Sequence, residues 1–337
     1  LEHSSTPEYS GMSTPVGSLA WEAAYKAGGS SVDDIAHAIA VDQSGNTYVT
    51  GSFESAANFG STTLTSSGSD DIFIAKMNST GAWLWALSAG GMYDDEGVDL
   101  SVDSNGNVII IGNFRGTAIF GSDSLTAGPN GNDDLFVAKI DTWGNWLWVK
   151  GVTCQNNGRC AGSAIATDST GYSYVTGSFS RDMSIGSTTL QWVGVEDIFV
   201  AKIDSFGNWQ WAKMAGGSLG SEISEDLDIG PNGDAFITGS FFDPATFGNQ
   251  TISSSGGWDV FVAKISSQGD WMWVQAAGDN SEDRSHTIVV DSQGSIYIAG
   301  EFYSAISLGN LYVNGGGSAA SFIAKGQDQG NLISWDW

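Results

Sequence analysis

Paired acidic residues are the side chains of this 337-residue chain whose types and spacing most directly suggest chemistry. Each pair falls between the last predicted strand of one sequence repeat and the first predicted strand of the next. The pairs are Asp33-Asp34, Asp94-Asp95, Glu225-Asp226 and Glu282-Asp283. A ring of repeats would gather them on one face, and loop carboxylates are ligands that Ca²⁺ prefers. We therefore predict Ca²⁺ as the candidate cofactor. Solvated acidic turns are the alternative, because no D-x-D-x-D-G spacing occurs.

Two tryptophans depart from the regular spacing of the others and are candidate ligand-binding residues. Trp192 and Trp258 lie in the predicted connection between the second and third strands of their repeats. This connection is expected on a rim of the molecule, where an exposed indole could stack on a sugar ring. The alternative is that each tryptophan anchors its own loop.

One position of the first strand in each repeat carries a variable polar side chain. It is occupied by His37, Val98, Ser163, Glu225 and His286. If the repeats close into a ring, Glu225, His286 and His37 fall on consecutive repeats. Such a set could relay a proton or bind a transition metal. Ordinary strand residues are the alternative.

The only two cysteines, Cys154 and Cys160, lie close together in the sequence. No nearby histidine completes a zinc set, so the spacing predicts a disulfide. They stand where the other repeats carry an Ala-Gly-Gly and an acidic pair. A disulfide indicates an oxidising compartment.

The elements that must position these side chains come from a tandem repeat. Tryptophans recur at intervals of 62 to 64 residues, at Trp21, Trp85, Trp148, Trp211, Trp273 and Trp335. Each repeat contains four short runs rich in β-branched and aromatic residues, separated by glycine-containing turns, which we term strands A to D. The turn Asp42-Gln43-Ser44-Gly45 recurs between strands A and B. A fixed period of this length is typical of repeat architectures.

The repeat predicts an all-β, five-bladed β-propeller with four antiparallel strands per blade. We expect a flexible leader at 1–17 and a single domain at 18–337. The repeats run at about 21–84, 85–147, 148–210, 211–272 and 273–335. A β-solenoid is the alternative.

Three recurring segments resemble the bacterial β-propeller repeat called SBBP. They are GNTYVTGSF at 45–53, DDIFIAK at 70–76 and the AGG ending of strand D at 89–91. The resemblance covers about 18–337. It implies a secreted or cell-surface location but no single activity, because propellers carry many functions. Arrays of this family are often drawn with seven blades, whereas five repeats are present here.

Net charge and hydropathy limit the classes of partner that this chain could bind. The chain has 38 acidic and 12 basic residues, a net charge of −26. This charge disfavours nucleic acid and anionic lipid. Its longest apolar runs, such as 108–111, are too short to span a bilayer. With Leu1 first and no apolar export segment after it, we take any signal peptide as already removed.

Three functions remain as predictions. The first is a non-catalytic extracellular module that binds a glycan or a surface protein through its B–C and D–A loops. The second is a structural subunit that assembles head to tail. Segments 18–25 and 331–337 both resemble strand D, so one of them, with Trp21 or Trp335, is free to pair with another molecule. A glycosidase-like enzyme ranks third, since no distinct acid and base stand out among near-identical repeats.

Overall fold

The computed structural model describes residues 24–29, 33–128 and 132–337. Over these residues the chain forms 28 β-strands and no helix. The predicted all-β class is confirmed. The predicted leader at 1–17 and Trp21 lie outside the described residues, as does most of the segment 18–25.

The strands fall into five consecutive units, each with the predicted strands A, B, C and D. Unit 1 comprises β1 (Asp34–Val41), β2 (Thr47–Phe53), β3 (Ala56–Phe59), β4 (Thr62–Thr65), β5 (Asp71–Met77) and β6 (Trp83–Gly91). Unit 2 comprises β7 (Glu96–Val102), β8 (Val108–Phe114), β9 (Thr117–Phe120), β10 (Asp123–Thr126), β11 (Asp134–Ile140) and β12 (Trp146–Cys154). Unit 3 comprises β13 (Cys160–Thr167), β14 (Ser173–Phe179), β15 (Met183–Ile185), β16 (Thr188–Leu190), β17 (Asp197–Ile203) and β18 (Trp209–Gly216). Unit 4 comprises β19 (Glu222–Ile229), β20 (Ala235–Phe241), β21 (Ala245–Phe247), β22 (Gln250–Ile252), β23 (Asp259–Ile265) and β24 (Trp271–Ala277). Unit 5 comprises β25 (Asp283–Val290), β26 (Ser295–Leu308), β27 (Leu311–Asp328) and β28 (Ile333–Trp335).

Within each unit the four main strands form an antiparallel sheet in the order A-B-C-D. Strands B and C lie in the middle and are almost wholly buried, as in β8 and β11. The A–B turn closes as its sequence predicts. Asp42 accepts the N–H groups of Ser44 and Asn46 at 2.8 and 2.9 Å, and Gly45 takes a φ of 78°. These turns hold the sheet ends in a fixed register.

The short hairpin between strands B and C leaves its own sheet and extends the sheet of the preceding unit. Thus β9 pairs with β6, β15 with β12 and β21 with β18. A bridge between Gly28 and Asn58 of β3 has the same arrangement at unit 1. In unit 5 the hairpin is continuous with the long strands β26 and β27. The hairpins of units 2, 3 and 4 therefore tie each of these units to the preceding one through main-chain bonds.

Successive units pack face to face through a repeated joint. An aliphatic residue of strand A enters the core of the preceding unit, as Leu100 packs with Tyr48 and Ile74. A strand D indole N–H donates to the C–D turn of the next unit, as Trp85 does to the Thr142 carbonyl at 3.1 Å. The same indole bond joins Trp148 to Ser205, Trp211 to Ser267 and Trp273 to the Asp328 carboxylate. These tryptophans therefore serve packing between units.

A closed five-bladed ring is not confirmed. Units 1 to 5 pack in succession, but in the described part of the chain β25 is not packed against β1. Ile39 of β1 is 68% exposed, whereas its counterparts in the other units are at most 5% exposed. Those counterparts are Leu100, Ile165, Leu227 and Ile288. Within the described residues, unit 1 therefore presents one sheet face that no other unit covers.

The predicted alignment of Trp335 with Trp85 is wrong. Trp335 pairs with Gly326 in the same way that Trp83 pairs with Met77, so it matches the first tryptophan of strand D. The C–D turn of unit 5 is longer, because Trp335 follows Gly330 by five residues while Trp83 follows Gly81 by two. Trp337 is therefore the true counterpart of Trp85.

Candidate functional site: buried acid pairs and the loop face

At most of the joints, an acidic residue at the start of strand C lies beside one at the start of the next strand A. Three joints have this acid pair, all with buried side chains. The pairs are Asp71 with Asp95, Asp197 with Glu222, and Asp259 with Asp283. Strand pairing fixes these positions, because both acids stand opposite the phenylalanine that ends strand B, as Asp259 and Asp283 do in their own units.

Main-chain N–H groups hold the pairs in place. Asp95 accepts from Gly91 at 2.7 Å and from Arg115 at 3.0 Å. Asp259 accepts from Ser255 at 2.7 Å, and Asp283 accepts from Asp279 at 2.9 Å. Several of the facing oxygens have no hydrogen-bond partner among the described residues. They are Asp71 Oδ1, Asp197 Oδ1, Glu222 Oε1, Asp259 Oδ1 and Asp283 Oδ1. The pairs thus lack a compensating positive charge of their own.

Burial is the main cause of a raised pKa at all three pairs. It raises the pKa of Asp95, Asp197 and Asp259 to about 7. It raises the pKa of Glu222 to about 8, and repulsion from Asp197 adds to the effect. A buried carboxyl beside another carboxylate keeps its proton because ionisation costs more there than in water. Each pair is therefore set up to share a proton near neutral pH.

A glycine makes room for the acid pair in strand D. Gly90 has a φ of 149°, and a Cβ built on it would come within 2.6 Å of Asp71 Oδ1 and 3.0 Å of Asp95 Oδ2. The acid pair therefore requires a glycine at this position, which is Gly90, Gly216 or Gly278 in the three joints that have a pair.

The joint between units 2 and 3 replaces one acid with a disulfide. Cys160 occupies the strand A position of Asp95 and is bonded to Cys154, so the predicted pairing is confirmed. Asp134, the strand C acid, accepts the Cys154 N–H at 3.2 Å and the Gly128 N–H at 2.8 Å. Here a covalent bond stands where other joints have a second carboxylate.

Removal of this disulfide should lower stability by about 2 kcal/mol, the entropy expected for closing so short a ring. The variant is Cys154→Ser with Cys160→Ser, and urea unfolding of variant and parent measures the change. Intact mass with and without reductant provides the control, since a bonded pair gains two hydrogens on reduction. A parent protein with two free thiols before reduction would contradict the assignment.

The structure separates the residues predicted to bind metal. Asp34, Asp95 and Asp283 occupy the strand A position of the acid pairs, and Asp33, Asp94 and Glu282 are exposed beside them. The placement of Glu225 and Asp226 in a D–A loop is wrong, because both lie inside β19 and Glu222 takes the equivalent position. Within the described ranges, no three His, Cys, Asp or Glu side chains converge to hold a metal ion. Ca²⁺ binding stays a prediction.

The variable strand A position is a β-bulge. The register shifts at this residue in every unit, for example between Gly97 and Asp99. Burial raises the pKa of Glu225, and the nearby His286 opposes that rise. His37 does not join them because units 5 and 1 do not pack together. The predicted three-residue relay is therefore not assembled.

Trp192 and Trp258 are half-buried and each is covered by an arginine. The guanidinium groups of Arg181 and Arg284 each lie 4.5 Å from the ring centroid. The Trp192 indole also donates to the Val195 carbonyl in its own loop at 3.2 Å. One face of each indole is thus already occupied, which favours the loop-anchor interpretation.

The B–C and D–A loops meet at one end of the sheets and form what we call the loop face. Exposed apolar side chains there are Met92, Tyr93, Val195 and Leu219. Main-chain bonds join the loops, for instance from Val195 N–H to the Gly220 carbonyl at 3.2 Å. The loop face therefore presents apolar groups on a hydrogen-bonded framework.

Salt bridges run along the loop face across two joints. Arg115 contacts Asp94 at 3.0 Å and Asp133 at 2.5 Å. Arg159 contacts the same Asp133 at 3.1 Å and Glu196 at 3.4 Å. Charged groups thus border the apolar residues, as at the rims of protein-binding surfaces.

Sequence reasoning missed the strand C acids of the pairs. Asp71, Asp134, Asp197 and Asp259 recur as the residue before the apolar run of each strand C, and that recurrence was the available signal. An acid that begins a strand looks like a turn residue unless its burial is known.

The fold and its joints define a β-propeller repeat protein. Residues 24–52 match the family model SBBP, described as "Beta-propeller repeat". The chain thus carries an SBBP repeat, and the resemblance is confirmed over those residues. No helix in the described residues is both long and apolar enough to cross a membrane.

Proteins of a virus and of a bacterium are similar in sequence to part of this chain. An uncharacterized WD repeat-containing protein of Acanthamoeba polyphaga mimivirus is 26% identical over 59% of this chain and 17% of its own length. The regulatory protein FlaEY of Caulobacter vibrioides is 26% identical over 58% of this chain and 21% of its own. The chain therefore spans about a fifth of these relatives. A Bacteroides caccae protein of unknown function has a TM-score of 0.37 at 10% identity, covering 72% of this chain and 69% of that structure.

Proposed function

We propose that this β-propeller repeat protein is a non-enzymatic, extracellular interaction module that binds a protein through its loop face. The observation that carries the proposal is the set of exposed apolar side chains there, Met92, Tyr93, Val195 and Leu219. Exposed apolar groups with a charged rim are typical of protein-binding surfaces. Loops on a rigid scaffold are also where binding residues concentrate.

The acid pairs support a structural role in place of catalysis. Asp95, Asp197 and Glu222 have no exposed surface. A general acid must reach the proton that it transfers, and a buried pair inside a joint meets no substrate. Their raised pKa values then belong to packing between units.

The disulfide supports an extracellular location, because such bonds persist in oxidising compartments. Glycan binding at Trp192 or Trp258 is the weaker alternative. A sugar ring would first have to displace the stacked guanidinium of Arg181 or Arg284.

Site-specific photo-crosslinking tests the proposal. A benzophenone side chain replaces Tyr93 or Leu219 on the loop face, and Phe206 in an exposed C–D turn at the other end of the sheets is the matched control. On the surface of the source cells, we expect discrete protein adducts from positions 93 and 219 and none from 206. Equal adducts at all three positions, or none at the loop face, would overturn the proposal.

A further inference from the structure

The two ends of the row of units carry the two halves of the joint that recurs inside the chain. On unit 1, Ile39 is exposed where its counterparts are buried. On unit 5, Ile323 is 68% exposed, while its counterparts are at most 1% exposed. Those counterparts are Ile74, Val137, Val200 and Val262. Each uncovered face therefore lacks its packing partner. The face at the other end of the row resembles that missing partner.

The internal joints show which contacts the two faces would make. Strand A of one unit inserts an aliphatic side chain between two residues of the preceding unit. Leu227 packs with Tyr174 and Val200 in this way. At the open ends, Ile39 corresponds to Leu227, and Tyr297 with Ile323 corresponds to Tyr174 with Val200. The aliphatic residue and its receiving pocket are thus both present, on opposite ends.

The polar part of the joint is preserved at unit 5 as well. Lys325 lies over the Tyr297 ring at 5.4 Å, as Lys76 lies over Tyr48 at 4.8 Å. Trp337 packs edge-on against Tyr297 with centroids 6.5 Å apart. Its counterpart Trp85 donates to a carbonyl in the C–D turn of the next unit. On unit 1 the equivalent turn position is Ser79.

The segment 24–29 adds a main-chain match. Gly28 pairs with Asn58 just as Gly90 at the end of strand D pairs with Ile119 of the next hairpin. Strand D of unit 5 is represented by β28 and the following Asp336 and Trp337, which bond to Lys325. When both segments are aligned with strand D of unit 1, Trp337 matches Trp85 and the segment 24–29 matches the residues that follow it. The two segments together therefore match one complete strand D.

We infer that two copies of this chain associate head to tail, with Ile39 of one copy inserted between Tyr297 and Ile323 of another. The contact is heterologous, so it leaves one free face at each end and can add further copies or close into a ring. Unlike exchange of a terminal strand alone, it buries whole sheet faces. It is independent of the loop face and therefore goes beyond the proposed function.

Sedimentation velocity of the full chain over a range of concentrations tests this inference. We expect the mass to rise from that of one 35.3 kDa chain to multiples of it as concentration increases. Ile39→Glu and Ile323→Glu should each abolish the association, because a charge in the joint would be buried without a partner. Tyr312→Glu, at an exposed position on the hairpin of unit 5, is the matched control and should associate normally.

Mixing the two defective variants gives the sharpest readout. Ile39→Glu retains an intact unit 5 face and Ile323→Glu retains an intact unit 1 face, so a mixture should form dimers that cannot extend. A monomer at every concentration, as closure of unit 5 onto unit 1 of the same chain would give, overturns the inference. Association that survives both substitutions, or a mixture that stays monomeric, also overturns it. Circular dichroism of each variant confirms that loss of association is not loss of fold.

Discussion

Raising the pH from 5 to 8 should lower the melting temperature of this protein. The cause is the acid pairs in three of its joints. Burial raises the pKa of Asp95, Asp197 and Asp259 to about 7 and that of Glu222 to about 8. An unfolded carboxyl titrates near pH 4. Between these values the folded protein binds more protons than the unfolded chain, so stability falls as pH rises. Each proton contributes about 1.4 kcal/mol per pH unit, so a single group of this kind loses on the order of 3 kcal/mol over this pH range.

The carboxyls of the A–B and C–D turns have the opposite effect on stability, because their contribution is lost as the pH falls. Burial works to raise the pKa of Asp42 and Asp103, but hydrogen bonds from Asn46 and Asn107 outweigh it and lower both. Their contribution is present above about pH 4 and is lost below it. Maximum stability is therefore expected near pH 4, where the turn carboxyls are still ionised and the acid pairs have not yet lost their contribution.

A neutral side chain of the same shape isolates the acid pairs from the effect of net charge. Glu222→Gln mimics the protonated acid, so this variant should melt well above the parent at pH 8 and only slightly above it at pH 5. Glu282→Gln removes the same charge from an exposed position and is the control. Scanning calorimetry at several pH values gives both profiles. If Glu222→Gln and Glu282→Gln shift the profile equally, the acid pairs do not cause the pH dependence.

Trp273→Ala should destabilise the protein by about 3 to 5 kcal/mol, the range for truncating a buried aromatic side chain. Trp273 is 1% exposed and packs at the joint between units 4 and 5. Its indole also donates to Asp328 at 3.0 Å. Truncation removes both contacts and leaves a cavity beside Phe236. The midpoint of denaturant unfolding, followed by circular dichroism, measures the loss.

Two further tryptophan variants give this experiment its controls. Trp143→Ala, at a side chain 78% exposed in a C–D turn, should change stability by no more than about 0.5 kcal/mol. Trp273→Phe keeps a ring but removes the donor, and should lose about 1 kcal/mol because Lys264 still bonds Asp328. Equal losses from Trp273→Ala and Trp143→Ala would contradict the role of Trp273 in the joint.

Local chemistry allowed most of the fold to be predicted from the sequence. Asp42 and Gly45 define a turn through an Asx bond and a positive φ, so that turn is visible without coordinates. Cys154 and Cys160 are close enough in the chain to bond in almost any loop between strands. The four-strand unit follows from alternation of such turns with apolar runs.

The remaining features depend on packing between units. The hairpins join the preceding sheet rather than their own, which nothing in the short strand β9 indicates. Glu222 and Glu225 are both acidic residues before an apolar run, and only the strand register tells that the first belongs to the acid pair. Whether units close into a ring depends on the angle between successive sheets. Near-identical repeats give no information about that angle.

The hairpins between strands B and C, which extend the sheet of the preceding unit, also determine how the chain would respond to a pulling force. A load applied along the row of units cannot separate unit 1 from unit 2 by parting side chains alone, since β9 is hydrogen-bonded to β6. It must also break main-chain bonds that lie between the two sheets, and the same holds at β15 and β21. Units linked in this way should share tension rather than detach one after another. Mechanical resistance then belongs to the row as a whole.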